Sequence, residues 1–361
     1  MHLRRSIRRV FAAAAFAMAA GSASAGYTAI NVFGDSLSDG GNALLYNLAS
    51  PGVGAALGYL VPTNPGASPY PPGATKYTNP GGTVAVEVLA GRLGLPLAPS
   101  LLGGTNFATG GATTGTLNLA GDAAFVPNPS PIPGVPPGTP FFPGLAGIGI
   151  RTQVAQFVGA LGGSGADPGA LYVVWGGPND VFVNQALGSP QNPFLSVANL
   201  AAGVTDLYSA SARTILLPNM PDLGKTPAFL GGPDAAGASG LTLAFNALLA
   251  GAILNLEATL PGLDVLPFDT FTAFNDLLSN AGALGFTNTD TPCYLLGAAC
   301  DPTEFVFWDF VHPTSIVQQI LAQGFFAAAV PEPHSTALIA LGLLLIVGLR
   351  RRQKSVQRPE S

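Results

Sequence analysis

Cysteine, histidine and positive charge are scarce in this 361-residue chain, and each shortage narrows the chemistry open to it. Only two cysteines and three histidines are present, and His2 and His334 lie in the two tails. That leaves His312, Cys293 and Cys300 in the body, too few soft and imidazole ligands for a usual zinc site, so neither a metal nor another cofactor is implied. Charged residues make up 9% of the chain, and nine of its 14 Lys and Arg sit near the ends: Arg4, Arg5, Arg8 and Arg9, then Arg350, Arg351, Arg352, Lys354 and Arg358. Between Gly26 and Val330 only Lys76, Arg92, Arg151, Arg213 and Lys225 remain, against seventeen acidic residues. So acidic a body argues against nucleic acid as a partner and against docking on anionic lipid. A Gly-x-Ser-x-Gly elbow is missing as well, which disfavours an α/β-hydrolase. Apolar residues are not scarce: at 48% they can fill a sizeable core, which excludes disorder throughout.

The two ends read as addresses. Four arginines, an apolar core from Val10 to Ala20 and the small residues Ser22-Ala23-Ser24-Ala25 form a secretory signal peptide, residues 1–25. Export leads to an oxidising compartment. There Cys293 and Cys300, seven positions apart, favour a local disulfide over two free thiols. At the other end, residues 330–361, Val330-Pro331-Glu332-Pro333 precedes a thirteen-residue apolar run, Ala337 to Leu349, and then three arginines. The run is short of the ~20 residues that span a bilayer comfortably. The order resembles the PEP-CTERM sorting signal of Gram-negative bacteria. That resemblance implies export across the inner membrane, processing by an exosortase-type partner and residence at the cell surface or outside the cell. Membrane contact would be confined to the tail, and a plain C-terminal anchor is the alternative.

Between the tails, residues 26–329 read as one domain. The apolar run Ala29-Ile30-Asn31-Val32-Phe33 predicts a strand, as do Leu171 to Trp175, Thr214 to Leu217 and Asp264 to Phe268, with a short one at Thr105 to Ala108. Helices are expected over about 43–49, 84–93, 151–161, 195–210, 241–260, 271–279 and 315–328. Strands apolar throughout and alternating with helices predict a parallel sheet covered on both faces. Pro51 to Gly82 and Pro127 to Gly149 are too rich in Pro and Gly for regular structure, and Gly176 to Asp180 and Gly285 to Pro313 read as loops.

The first strand runs into Gly34-Asp35-Ser36-Leu37-Ser38-Asp39, a small-residue turn that hands a serine to the next helix. A serine hydroxyl needs a base, a group to orient the base and donors for a developing oxyanion. His312 is the only histidine in the body. Asp309, in Trp308-Asp309-Phe310-Val311-His312-Pro313-Thr314, is placed to orient it. Donors can come from the Ser36 N–H, from Gly111 or its neighbour Gly110, and from the Asn179 side chain in Gly176-Gly177-Pro178-Asn179-Asp180. Asp35 and Asp39 read as braces of the turn or caps of the helix.

These four blocks in this order resemble the GDSL esterases of the SGNH hydrolase superfamily, over Ala29 to Ala328. The resemblance implies a three-layer α/β/α sandwich around a flavodoxin-like, five-stranded parallel sheet. It makes Ser36 the nucleophile, His312 the general base and acid, Asp309 its orienter, and Ser36, Gly111 and Asn179 the oxyanion donors. The activity implied is that of a secreted esterase or lipase working through an acyl-enzyme on a lipid, a short-chain ester or an acylated glycan. Acyl transfer or polysaccharide O-deacetylation at the cell envelope is the alternative. A non-catalytic surface module, the third reading, would be expected to have lost one of these residues.

Overall fold

Four short, almost wholly apolar segments form one parallel sheet in a computed structural model of the chain, which describes residues 26–50, 69–71, 73–122, 142–186 and 188–330. The strands are β1 (Ile30–Gly34), β2 (Leu171–Trp175), β3 (Thr214–Pro218) and β4 (Asp264–Phe268), hydrogen-bonded in the order β1-β2-β3-β4. Ile30 pairs with Leu171, Leu171 with Thr214 and Thr214 with Asp264, so the strand ends are in step across the sheet. Every residue of β1 and β2 is buried, as expected when helices cover both faces. The helices are α1 (Asn42–Ala49), α2 (Ala85–Leu93), α3 (Ile150–Ala160), α4 (Pro178–Ala186), α5 (Pro193–Ser209), α6 (Ala235–Thr259), α7 (Thr270–Ser279) and α8 (Ser315–Ala329).

Alternation along the strands sorts the core. Phe33, Tyr172, Val174, Ile215, Leu217 and Val265 point to one face, where they pack with Ile150 and Val154 of α3, Leu200 and Val204 of α5, and Phe245 and Leu249 of α6. Trp175 points to the other face and meets Phe325 of α8 edge-on, with ring centroids 5.2 Å apart. Helix α6 is long and apolar enough to cross a membrane by length and composition. Its Ala238, Thr242, Phe245, Leu249, Ile253 and Leu256, spaced by three or four, are buried, so one face of the helix packs on the domain.

The expected fifth strand is reduced to a bridge. Phe107 donates its N–H to the Val32 carbonyl (2.7 Å), and the N–H groups of Val32 and Thr109 donate to Thr105 and Gly34. The segment thus lies parallel along the free edge of β1, but only Asn106 pairs as a bridge, with Val32 and with Pro99. Asn106 folds its side chain back onto Ser38 O and the Ala108 N–H, and the chain turns away at Gly110 and Gly111, so no regular strand develops. Two other expectations shift. Gly176 to Asp180 is not a loop throughout, because α4 opens at Pro178, whose fixed φ suits the first turn of a helix. Helix α6 begins at Ala235, through an Ala/Gly/Ser run in which no apolar periodicity announces a helix. The leader at 1–25 and the tail beyond Val330 lie outside the described residues, as do parts of both Pro/Gly-rich segments. Tyr27–Ala328 is one compact unit.

Candidate active site

The carboxyl ends of β1 and β2, and the loop before α8, converge on one point, as ligand sites do in open parallel sheets. Strand β1 stops at Gly34, where a Cβ would lie 2.6 Å from the Trp175 carbonyl oxygen, so only glycine lets the two strand ends close up. The turn that follows is held by the Leu37 N–H on Asp35 Oδ1 (3.0 Å) and the Ser38 N–H on the Asp35 carbonyl (3.1 Å). Asp39 then accepts four backbone N–H groups: those of Gly41, Asn42 and Ala43 at the start of α1, and that of Gly110 (2.8 Å). Between these two carboxylates stands Ser36, 7% exposed.

His312 reaches this serine from the far end of the chain. Its Nε2 is 2.7 Å from Ser36 Oγ, and its Nδ1 is 2.8 Å from Asp309 Oδ2. Asp309 Oδ1 accepts the N–H groups of Val311 (2.9 Å) and His312 (2.6 Å), which curls the Asp-x-x-His segment around the carboxylate. Burial drives the Asp309 carboxyl upward, but the His312 charge, its hydrogen bond and these two N–H donors outweigh that and hold it below the ordinary carboxylate range. An ionised Asp309 accepts a hydrogen bond from Nδ1–H, which keeps the proton on Nδ1 and leaves Nε2 as an acceptor facing the serine hydroxyl. The backbone here is tied to the disulfide loop: Cys293 and Cys300 are bonded to each other, and the N–H groups of Cys293 and Tyr294 donate to the carbonyls of Phe307 and Trp308.

Tyr70 joins this chain, and nothing in the sequence pattern singled it out. Its hydroxyl donates to Asp309 Oδ2 (2.9 Å) and lies 3.3 Å from His312 Nδ1. Burial foremost, with the nearby Asp309 charge, holds the phenol well above its ordinary value, so it stays a donor. The Trp308 indole N–H, donating to the Pro69 carbonyl (2.9 Å), brings the Tyr70 loop to the His312 loop. A hydrogen bond to a charged group is worth about 1.5–3 kcal/mol, and only the part of it that grows as the imidazolium forms reaches kcat. Tyr70→Phe is therefore expected to lower kcat for ester hydrolysis by about tenfold with KM within about twofold of wild type. Steady-state kinetics will show it, and an unchanged kcat will count against any part for the hydroxyl.

The three residues expected to supply oxyanion donors, Ser36, Gly111 and Asn179, line one cavity. The Gly110 N–H is occupied by Asp39, and of the doublet it is Gly111, with φ +79°, that lines the cavity over Ser36. Asn179 lies in the first turn of α4 and donates one amide proton to the Ala112 carbonyl (3.0 Å), which orients the side chain and leaves its second proton. Asp180 binds the Thr114 N–H (2.8 Å) and the hydroxyls of Thr114 and Ser196, fixing the glycine block against α4 and α5. The cavity has a volume of about 330 Å³, and Ser36, Gly111, Asn179, Asp309 and His312 all line it.

Asp35 is the outlier. It is 1% exposed, its Oδ2 has no hydrogen-bond partner among the described residues, and burial pushes its carboxyl up to about 7. Its folded value lies above its unfolded one, so the native chain binds more protons than the unfolded chain between about pH 4 and 7. Stability from this group is greatest below pH 4 and is lost as pH rises to 7. Asp35→Asn is expected to flatten that slope, by on the order of 2 to 3 kcal/mol between pH 5 and 8. Urea melts at the two pH values measure it, and identical slopes in both proteins will contradict it.

A family profile described as GDSL-like Lipase/Acylhydrolase matches residues 30–325, and one described as the PEP-CTERM protein-sorting motif matches residues 329–352. An uncharacterized protein of the trpE-trpG intergenic region of Pseudomonas putida is 30% identical over 325 residues, covering 82% of this chain and 47% of that protein. Esterase EstA of Pseudomonas aeruginosa is 32% identical over 180 residues, 44% of this chain and 26% of its own length. A GDSL esterase/lipase of Arabidopsis thaliana is 28% identical, over 83% of this chain and 81% of its own. The chain thus spans half or less of the length of these Pseudomonas relatives. The sorting motif indicates a chain that works outside the cytoplasm. With a profile matched from the first strand into the last helix, the chain belongs to the GDSL-like lipase/acylhydrolase family.

Proposed function

We propose that the domain is a secreted serine hydrolase of carboxylic esters. The observation that carries this is the continuous buried chain from Ser36 Oγ through His312 to Asp309, with contacts of 2.7 and 2.8 Å, at the floor of a cavity. Ser36 Oγ attacks the acyl carbonyl as Nε2 of His312 takes its proton. The carbonyl oxygen, now negative, is met by the N–H groups of Ser36 and Gly111 and the second amide proton of Asn179. His312 then gives its proton to the leaving alcohol. Water, activated by the same imidazole, cleaves the acyl-enzyme and restores the serine. Asp309 holds the tautomer, and Tyr70 holds Asp309.

In this reading the edge segment Thr105–Ala108 is the fifth strand of a flavodoxin-like sheet; its three backbone hydrogen bonds to β1 support that. Residues 1–25 serve as a leader, and the tail beyond residue 329 is removed or used for attachment by an exosortase-type enzyme in a Gram-negative envelope. The sorting-motif match supports this. The test of the reaction is a fluorophosphonate probe on the purified full-length chain, with peptide mass spectrometry. The probe is expected on Ser36, with loss of p-nitrophenyl butyrate hydrolysis in step with labelling. Labelling elsewhere, or hydrolysis that survives complete labelling, overturns the reading.

A further inference from the structure

The cavity over Ser36 differs in character from its floor. Away from Ser36, His312 and the oxyanion donors, its lining includes Leu37, Trp175, Phe274, Phe307, Val317 and Leu321, all at most 9% exposed. Phe274 comes from α7, and Val317 and Leu321 come from α8. Phe274, Phe307 and Val317 belong to one packed cluster, so these walls are held in place by the core rather than by loops. Most polar groups of the lining are already committed; the exception is Asp35, next to Ser36, whose buried Oδ2 has no partner among the described residues. The Trp175 indole N–H donates to the Asn219 carbonyl (3.1 Å), and the Thr226 hydroxyl donates to Leu223 O (2.7 Å). Asn179, Asp309 and His312 belong to the reaction. Asp35 and Tyr77, both buried, complete the polar lining, so the walls away from the serine offer few donors and acceptors to read sugar hydroxyls, and a site that binds a polar group must pair it.

We propose that this cavity is an acyl chamber selective for a straight acyl chain of medium length, about eight carbons, over acetyl. The inference rests on the ester-hydrolase reading of the same site. Size supports it: at roughly 30 Å³ per heavy atom, an eight-carbon chain fills about 240 Å³, leaving space for the ester group within the 330 Å³ of the cavity. An acetyl group fills about a fifth of the cavity and leaves the apolar walls against water. Each methylene buried there is worth about fourfold in a binding or rate constant. Chains well beyond the capacity of the chamber must leave part of their length in water or displace α8, so the gain ends there.

The experiment is kcat/KM of the full-length protein for p-nitrophenyl acetate, butyrate, octanoate, laurate and palmitate. The expected profile rises about 100-fold or more from acetate to octanoate and falls toward palmitate. Leu321→Trp, which fills the chamber, is expected to cut the octanoate-to-acetate ratio at least tenfold. Phe274→Ala, which enlarges it, moves the optimum toward laurate. The two changes act in opposite directions, so a general loss of folding cannot imitate both, and circular dichroism checks each variant. Hydrolysis by the wild type that is dependent on Ser36 and fastest with acetate overturns the chamber and leaves the hydrolase standing. Failure to hydrolyse any ester, with Ser36 inert to fluorophosphonate, overturns both.

Discussion

Replacing Ser36 with alanine is expected to lower kcat for ester hydrolysis by about 10⁴- to 10⁶-fold while leaving the fold intact. The hydroxyl sits 2.7 Å from His312 Nε2, and the turn around it is held by Asp35 and Asp39, not by the serine side chain. Removing Oγ therefore deletes the nucleophile without loosening the loop. With Gly111 and Asn179 as the proposed oxyanion donors, a residual rate above the uncatalysed one is expected to persist. His312→Ala is expected to be as damaging, since a serine hydroxyl with no base to take its proton is a poor nucleophile. Because the two groups act as one unit, the double variant is expected to be no worse than either single one. Initial rates with p-nitrophenyl butyrate, beside unchanged circular dichroism, measure all three. A Ser36→Ala protein with ordinary turnover rules out the serine mechanism.

The meeting of Ser36, Asp309 and His312 is legible in the sequence because scarcity leaves little choice. One body histidine with an aspartate three residues before it can serve one serine at a strand end. The parallel sheet is legible for a similar reason, since LYVVW and TILLP cannot be half-exposed strands. What is not legible depends on contacts between distant segments. Tyr70 is 239 residues from Asp309, in a stretch whose composition fits any loop, and its place is fixed by the Trp308 bond to Pro69. The choice between Gly110 and Gly111 turns on which N–H Asp39 consumes. The edge segment makes its backbone bonds to β1, but Asn106 turns its side chain onto Ser38 and Ala108, a local contact that alternating hydrophobicity cannot reveal. Helix α4 is hidden because Gly-Gly-Pro-Asn reads as a turn; Gly177, at φ +140°, makes the turn, and Pro178 then opens a helix.

Asp309→Asn is the second change expected to be severe, about 10⁴-fold in kcat, although the residue never touches the ester. Both carboxylate oxygens are engaged: Oδ1 accepts the N–H groups of Val311 and His312, and Oδ2 faces His312 Nδ1 and the Tyr70 hydroxyl. An asparagine keeps its loop contacts only by presenting its oxygen to the two backbone N–H groups. Its NH₂ then points at Nδ1, which must become an acceptor, and the proton moves to Nε2. Such an imidazole offers Ser36 a donor where an acceptor is required. The neutral amide also fails to stabilise the imidazolium that forms as the serine attacks. Tyr70 loses its acceptor on the same swap, so Tyr70→Phe added to Asp309→Asn is expected to cost little more, whereas the same change in wild type costs about tenfold. A thermodynamic cycle on kcat for the four proteins measures that coupling. Independent, multiplicative losses would show that Tyr70 acts on the site by a route other than Asp309, and an Asp309→Asn protein with a tenth of wild-type kcat would show that another group sets the tautomer of His312.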